Sequence, residues 1–129
     1  MATILIVEDD EHQRLLYKEE LELDGYQVVL TASGQEAVAA VADSEIDCVV
    51  LDIAMPGMNG VETMAKMLDI DRQLPIILHT AYPSYKDDFM TWAAEAYVIK
   101  SSDLSELKEQ IAKALEPDDS DSQQAGELE

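Results

Sequence analysis

Four consecutive apolar residues, Cys48-Val49-Val50-Leu51, run straight into a carboxylate, Asp52, and that junction limits what the chain can become. A run with no polar face needs cover on both sides, so it reads as a strand buried between two layers. Pro56-Gly57 and Asn59-Gly60 then turn the chain sharply. Asp52 thus stands at the carboxyl end of a buried strand, the edge at which open parallel sheets bind their ligands. Taken alone, it could as well cap its own loop.

The start of the chain repeats the junction. Thr3-Ile4-Leu5-Ile6-Val7 is mostly apolar and ends in Glu8-Asp9-Asp10, with Glu11 following. If the two strands are neighbours, three or more negative charges converge in one crevice and raise one another's pKa unless a cation sits among them. Mg²⁺ suits such a place, being a hard ion that takes oxygen ligands at about 2.0–2.1 Å, needs few carboxylates and keeps several waters.

Strand and helix patterns alternate through the rest. His12 to Asp24 carries Leu15, Leu16 and Leu21 among charges, an amphipathic helix that Gly25 can end in a left-handed cap. Tyr26 to Leu30 reads as a strand, and Ser33-Gly34 opens a helix with Ala37, Val38, Val41 and Ala42 as its apolar face. After the Asp52 strand, Val61, Met64, Ala65 and Leu68 mark a third helix and Pro75 to Thr80 a fourth strand. A short helix over Asp87 to Ala94 leads to strand Ala96-Tyr97-Val98-Ile99. Asp103 can cap a last helix with Leu104, Leu107, Ile111 and Leu115 on its inner face. Strand and helix alternating five times predict an α/β fold, (βα)5, with a doubly wound, five-stranded parallel sheet, because right-handed crossovers place helices on both faces.

At 129 residues one domain is expected. We assign it residues 1–116, and leave 117–129 as an acidic tail with almost nothing to bury. With 28 acids against 8 bases and a net charge of −20, direct binding to nucleic acid would work against the chain's own field. The single cysteine, Cys48, lies mid-strand and reads as a buried free thiol, which suits a reducing compartment. No signal-peptide pattern or membrane-length apolar run is present, so a cytoplasmic protein without a membrane segment is expected.

The strand tips carry a coherent set: Glu8 and Asp9, then Asp52, then Thr80, then Lys100. Carboxylates to hold Mg²⁺, a hydroxyl and an ammonium are the groups that bind three oxygens of a phosphoryl group in transfer. Asp52 would be the nucleophile, forming an aspartyl-phosphate while metal and lysine neutralise the developing charge. Neither His12 nor His79 has a partner at ligand spacing, and neither is read as a metal ligand. Tyr82, Tyr85, Phe89, Met90 and Trp92 gather around the predicted fourth helix and read either as a docking face or as ordinary core.

Four stretches, Ile4 to Asp10, Val49 to Gly60, Pro75 to Ala81 and Ala96 to Lys100, resemble in order and spacing the receiver domain of two-component response regulators, which are CheY-like proteins. The resemblance implies the flavodoxin-like strand order 2-1-3-4-5. It also implies phosphorylation of Asp52 by a phosphohistidine on a sensor kinase or phosphotransfer protein. Mg²⁺ would be held by Asp9, by Glu8 largely through water, by Asp52 and by the Ala54 carbonyl. Thr80 and Lys100 would bind the phosphoryl group, and Tyr97 would turn inward as Thr80 is drawn to it. The surface of the fourth helix, fifth strand and fifth helix would change for a downstream protein target, or for a weak homodimer. Such a domain is a switch and not an enzyme, apart from its own phosphorylation and dephosphorylation.

Two features depart from the usual pattern. Ser101 stands where receivers commonly have proline, and the Lys100–Ser101 bond is expected to be trans, since cis costs roughly 2.5–4 kcal/mol before a residue other than proline. Ala54 and Tyr82 flank the acceptor and Thr80 without offering a base to water, so slow loss of the phosphoryl group is expected. A haloacid-dehalogenase-like phosphatase would need a second Asp where Ala54 stands. A flavodoxin-like binder would need backbone amides for phosphate where Glu8-Asp9-Asp10 would repel it. The remaining rival is a receiver-shaped adaptor that binds partners without phosphorylation.

Overall fold

The apolar runs form strands, and each buries alternate side chains on opposite faces of one sheet. The structure is a computed structural model that describes residues 1–52, 59–81 and 93–116. Its strands are β1 (Thr3–Val7), β2 (Gln27–Thr31), β3 (Cys48–Leu51), β4 (Ile76–Thr80) and β5 (Ala96–Ile99). All pairs are parallel, in the order β2-β1-β3-β4-β5, which is the doubly wound order expected. The described helices are α1 (Glu11–Leu23), α2 (Gly34–Asp43), α3 (Gly60–Ile70) and α4 (Ser105–Ala114), the last being the fifth helix of the sequence pattern. The predicted fourth helix up to Trp92, the aromatic cluster from Tyr82 to Trp92, Ala54 and the acidic tail lie outside the described residues.

Two apolar layers follow from strand alternation. Leu5, Val7, Val49, Leu51, Ile76 and Leu78 pack against Ala37 and Val41 of α2 and Met64 and Met67 of α3. Ile4, Ile6, Val50, Ile77 and Val98 face the other way, onto Tyr17 and Leu21 of α1 and Leu107 and Ile111 of α4. Each of these large side chains contributes roughly 1.5–3 kcal/mol when fully buried, so the two layers hold the central strands rigidly. The strand tips inherit that rigidity.

The helix ends follow local chemistry. Asp10 caps α1 by accepting from the Gln13 amide, Ser33 caps α2 through Glu36, and Asn59 caps α3 through Glu62. Glu36 reaches back to the Ala32 amide, close to a capping box. Gly25 after α1 has a φ of 95°, the left-handed conformation foreseen for it. At α4 the carboxylate of Asp103 accepts from the Ser105 amide, while Leu104 occupies the cap position itself. No cis peptide occurs among the described residues, so Lys100–Ser101 is trans.

Helix phases differ from expectation at several positions. Leu15 and Leu16 of α1 are 51% and 46% exposed, and the buried residues of that helix are Tyr17 and Leu21. The reason lies in angle: Leu21 shares a face with Tyr17 at a spacing of four, whereas Leu15 and Leu16 point off the stripe that the sheet covers. Ala42 and Ala65 are likewise exposed, with Ala40 packing on the core from α2 and Thr63 and Met67 buried from α3. Small alanine side chains carry little burial free energy, so periodicity discriminates poorly between them and their neighbours.

Candidate functional site

The β1 and β3 strands are direct neighbours, with Val7 opposite Leu51, so the residues that follow them meet at one edge of the sheet. The Asp52 amide donates to the Val7 carbonyl at 3.1 Å, and the Glu8 amide donates to the Thr31 carbonyl at 3.1 Å. One carboxylate oxygen from each of Glu8, Asp9 and Asp52 lies within 4.8 Å of the others. Glu8 and Asp52 are buried, at 3% and 7% exposure, while Asp9 is exposed.

Lys100, just past β5, reaches into the same cluster. Its Nζ donates to Glu8 Oε1 at 2.7 Å and to Asp52 Oδ2 at 2.9 Å, with only 16% of its side chain exposed. Burial disfavours the lysine's charge, but the hydrogen bonds to Glu8 and Asp52 outweigh it and raise its pKa. Glu8 is also raised: its burial is the largest effect and the shared lysine offsets it only in part. The two directions are compatible, since one ammonium answers to two carboxylates and each carboxylate has only a share of it.

Thr80 ends β4 and is fully buried, and its carbonyl accepts from the Lys100 amide at 2.7 Å. Tyr97 of β5 lies opposite Leu78 and packs, half-buried, on the layer that α2 and α3 cover. The fold therefore brings Glu8, Asp9, Asp52 and the Lys100 ammonium together, and sets Thr80 beside them at the end of β4. Ala54 is outside the described residues.

The donor set fits Mg²⁺ chemically. All three side chains offer hard oxygens, and two ligands on opposite sides of an octahedral ion at about 2.0–2.1 Å stand at most about 4.2 Å apart. Oxygens already within 4.8 Å need only small side-chain rotations to reach that spacing. Among the described residues no softer donor competes here, because His79 points to the α1 side and Cys48 is a buried thiol whose pKa burial pushes up to about 12.

Arg14 and Tyr17 escape the sequence reading, and His79 enters it only as a metal ligand to be set aside. Arg14 of α1 donates from Nη1 to the Glu8 carbonyl at 2.7 Å. His79 is 2% exposed and meets the ring of Tyr17 edge-on, the centroids 5.2 Å apart. Tyr17 in turn donates from its hydroxyl to Gln13 Oε1 at 2.9 Å. A lone His on a strand and an Arg on an amphipathic helix are ordinary sequence features, and only their neighbours in space distinguish them.

The family model for the response regulator receiver domain matches residues 4–112 of the chain. Sporulation initiation phosphotransferase F of Bacillus subtilis is 32% identical over 114 residues, which cover 87% of this chain and 92% of that protein. The transcriptional regulatory protein YkoG of Bacillus subtilis, itself uncharacterized, is 37% identical over 87% of this chain, and the match spans 50% of its own length. The chain thus spans about half of that relative, and 25% of the regulatory protein AtoC of Escherichia coli. Among solved structures, the response regulator TrrA of Thermotoga maritima in complex with Mg²⁺-BeF superposes with a TM-score of 0.86 at 41% identity, covering 89% of this chain and 100% of that one. TrrA in complex with the histidine kinase ThkA superposes at 0.84 and 40% identity, over 90% of this chain and 100% of that one.

Proposed function

The chain belongs to the response regulator receiver family, a family of two-component signalling, and from that premise we propose that Asp52 accepts a phosphoryl group from a phosphohistidine on a sensor kinase or phosphotransfer protein. The observation that carries this reading is the Lys100 ammonium shared between Asp52 and Glu8 at the rim of a three-carboxylate cluster. A carboxylate oxygen of Asp52 attacks phosphorus, and the bond from phosphorus to the histidine nitrogen breaks. Its electron pair stays on the imidazole, which takes up a proton from water. The product is an aspartyl-phosphate.

Glu8, Asp9, Asp52 and the Ala54 carbonyl would hold Mg²⁺, which supplies positive charge to the transferring oxygens when bound. Lys100 turns its ammonium from a carboxylate oxygen to a phosphoryl oxygen, and Thr80 offers its hydroxyl to another. Burial lets both act without competition from bulk water. Tyr97 lies on the strand next to Thr80 and follows its movement. That movement alters the surface assigned to the fourth helix of the sequence pattern, β5 and α4, which binds a downstream protein target or a second copy of the chain weakly.

The exposed Leu15 and Leu16 begin within two turns of Asp9 and offer an apolar surface to a helix of the kinase or phosphotransfer protein. TrrA was solved with such a kinase, which supports this class of partner. No described helix is long and apolar enough to cross a membrane, and we assign the domain, residues 1–116, to the cytoplasm where such kinases present their phosphohistidine. Receiver domains are signalling modules rather than enzymes. Treatment with acetyl phosphate and Mg²⁺ tests the reading: a mass gain of one phosphoryl group is expected in the wild type and none in Asp52→Asn. Equal labelling of both proteins overturns the acceptor assignment, and labelling of neither leaves the adaptor reading in its place.

A further inference from the structure

Asp9 differs from its two neighbours in the cluster. Among the described residues its carboxylate accepts no hydrogen bond and joins no ion pair, whereas Glu8 and Asp52 are both tied to Lys100. Nothing bonded to the Asp9 side chain aims it at the other two acids, so its direction comes from the backbone on either side.

That backbone is anchored from both flanks. On the far side, Asp10 caps α1 with its carboxylate, its carbonyl accepts from the Arg14 amide at 2.9 Å, and its amide donates to Glu8 Oε2 at 3.2 Å. On the near side, the Glu8 amide is the last to join the sheet, through Thr31. The Glu8 carbonyl has left the ladder, and the guanidinium of Arg14 takes it at 2.7 Å. This carbonyl belongs to the peptide plane that joins Glu8 to Asp9. If that plane turned without a compensating change in the φ of Asp9, the Asp9 side chain would be re-aimed relative to Glu8, and the Arg14 hydrogen bond opposes the turn.

We propose that Arg14 is a positioning residue for the Mg²⁺ site, holding the Glu8–Asp9 peptide so that the otherwise unheld Asp9 carboxylate faces Glu8 and Asp52. The proposal rests on the reading of this crevice as a Mg²⁺ site and names the part of the chain that pre-forms it. Residues that orient metal ligands without touching the metal cost about 10–100-fold in metal affinity when removed. Charge and geometry act here with opposite signs. A guanidinium beside the site repels a divalent cation, so if Arg14 acted through its field alone, removing it would tighten Mg²⁺ binding. If it positions the peptide, removal weakens binding despite the lost repulsion.

The experiment is calorimetric titration of Mg²⁺ into the unphosphorylated wild type, Arg14→Met, Arg14→Lys and Asp9→Asn, with a thermal melt of each. Arg14→Met is expected to bind Mg²⁺ about tenfold more weakly, with a cooperative melt retained. Arg14→Lys keeps the charge without the planar fork and should fall between it and the wild type. A Met variant that binds as tightly as the wild type, or more tightly, overturns the proposal. If Arg14→Met does not fold, Arg14→Lys decides, and an affinity equal to the wild type's overturns it. Asp9→Asn separates this outcome from failure of the site itself: Mg²⁺ binding indifferent to Asp9 refutes the site, whereas binding that needs Asp9 but ignores Arg14 refutes only the positioning role.

Discussion

Lys100 and Glu8, 92 positions apart in the chain, form an ion pair of 2.7 Å in which the carboxylate side chain is 3% exposed. Taking both charges out of water costs several kcal/mol each, and the pair persists because Asp52 shares the ammonium. The relationship makes lysine the cation that neutralises the crevice when no metal is present. The phosphoryl group and Mg²⁺ must each compete with it.

Lys100→Met should therefore destabilise the protein at neutral pH by about 3–5 kcal/mol, since it takes from two buried carboxylates the one ammonium they share. Added Mg²⁺ should restore part of that loss, because a ligand that binds only the folded state stabilises it. Urea unfolding with and without Mg²⁺ measures both. A loss that Mg²⁺ does not reduce would mean that metal and lysine do not answer to the same acids.

His79 makes stability depend on pH. Burial, with the Lys100 charge adding to it and Asp52 opposing, lowers its pKa from 6.5 to about 4. The folded state then stays unprotonated while the unfolded chain takes up a proton. Stability is full above pH 6.5 and is lost as pH falls towards 4, by about 3 kcal/mol in all. Other acids titrate in this range, so the measurement is the difference between wild type and His79→Phe, which keeps a ring against Tyr17. That difference should shift steadily between pH 6.5 and 4, in the direction that favours the variant at low pH; parallel curves would count against a buried neutral imidazole.

Thr80→Ala should leave Asp52 open to acetyl phosphate, because the nucleophile and the acids are intact. It should nevertheless uncouple the switch. In the wild type, phosphorylation is expected to shift the backbone amide resonances of Tyr97 and its neighbours in β5. The variant should show shifts confined to the surroundings of Asp52, and full shifts at Tyr97 would remove Thr80 from the route.

Leu15→Ala combined with Leu16→Ala should slow phosphotransfer from the partner kinase by about tenfold or more, because side chains buried in the centre of an interface dominate its free energy. Both residues are already exposed, so the melt should change little. Labelling by acetyl phosphate should be unaffected, which separates docking from chemistry. Equal slowing of both donors would place these leucines in the site and not on the docking surface.

What the linear chain determined was everything set by local pattern. Apolar runs of four or five residues between amphipathic stretches dictate strands covered on both faces, and four of the runs end at polar side chains, Glu8, Asp52, Thr80 and Lys100. The order of those runs also carried the resemblance that anticipated the sheet topology. Tertiary structure decided which neighbours each tip meets. Leu15, Leu16 and Tyr17 are all apolar enough to face a core, and only the seating of α1 on the sheet turned Tyr17 inward and left the two leucines outside. The carbonyl of Glu8 has no sequence signal at all, yet it receives Arg14 because the last ladder bond ends one atom group earlier. Likewise, the sharing of one ammonium between two acids follows from the order β1-β3-β4-β5, in which Glu8 and Asp52 follow neighbouring strands and Lys100 reaches them from the end of β5, a through-space fact that no periodicity encodes.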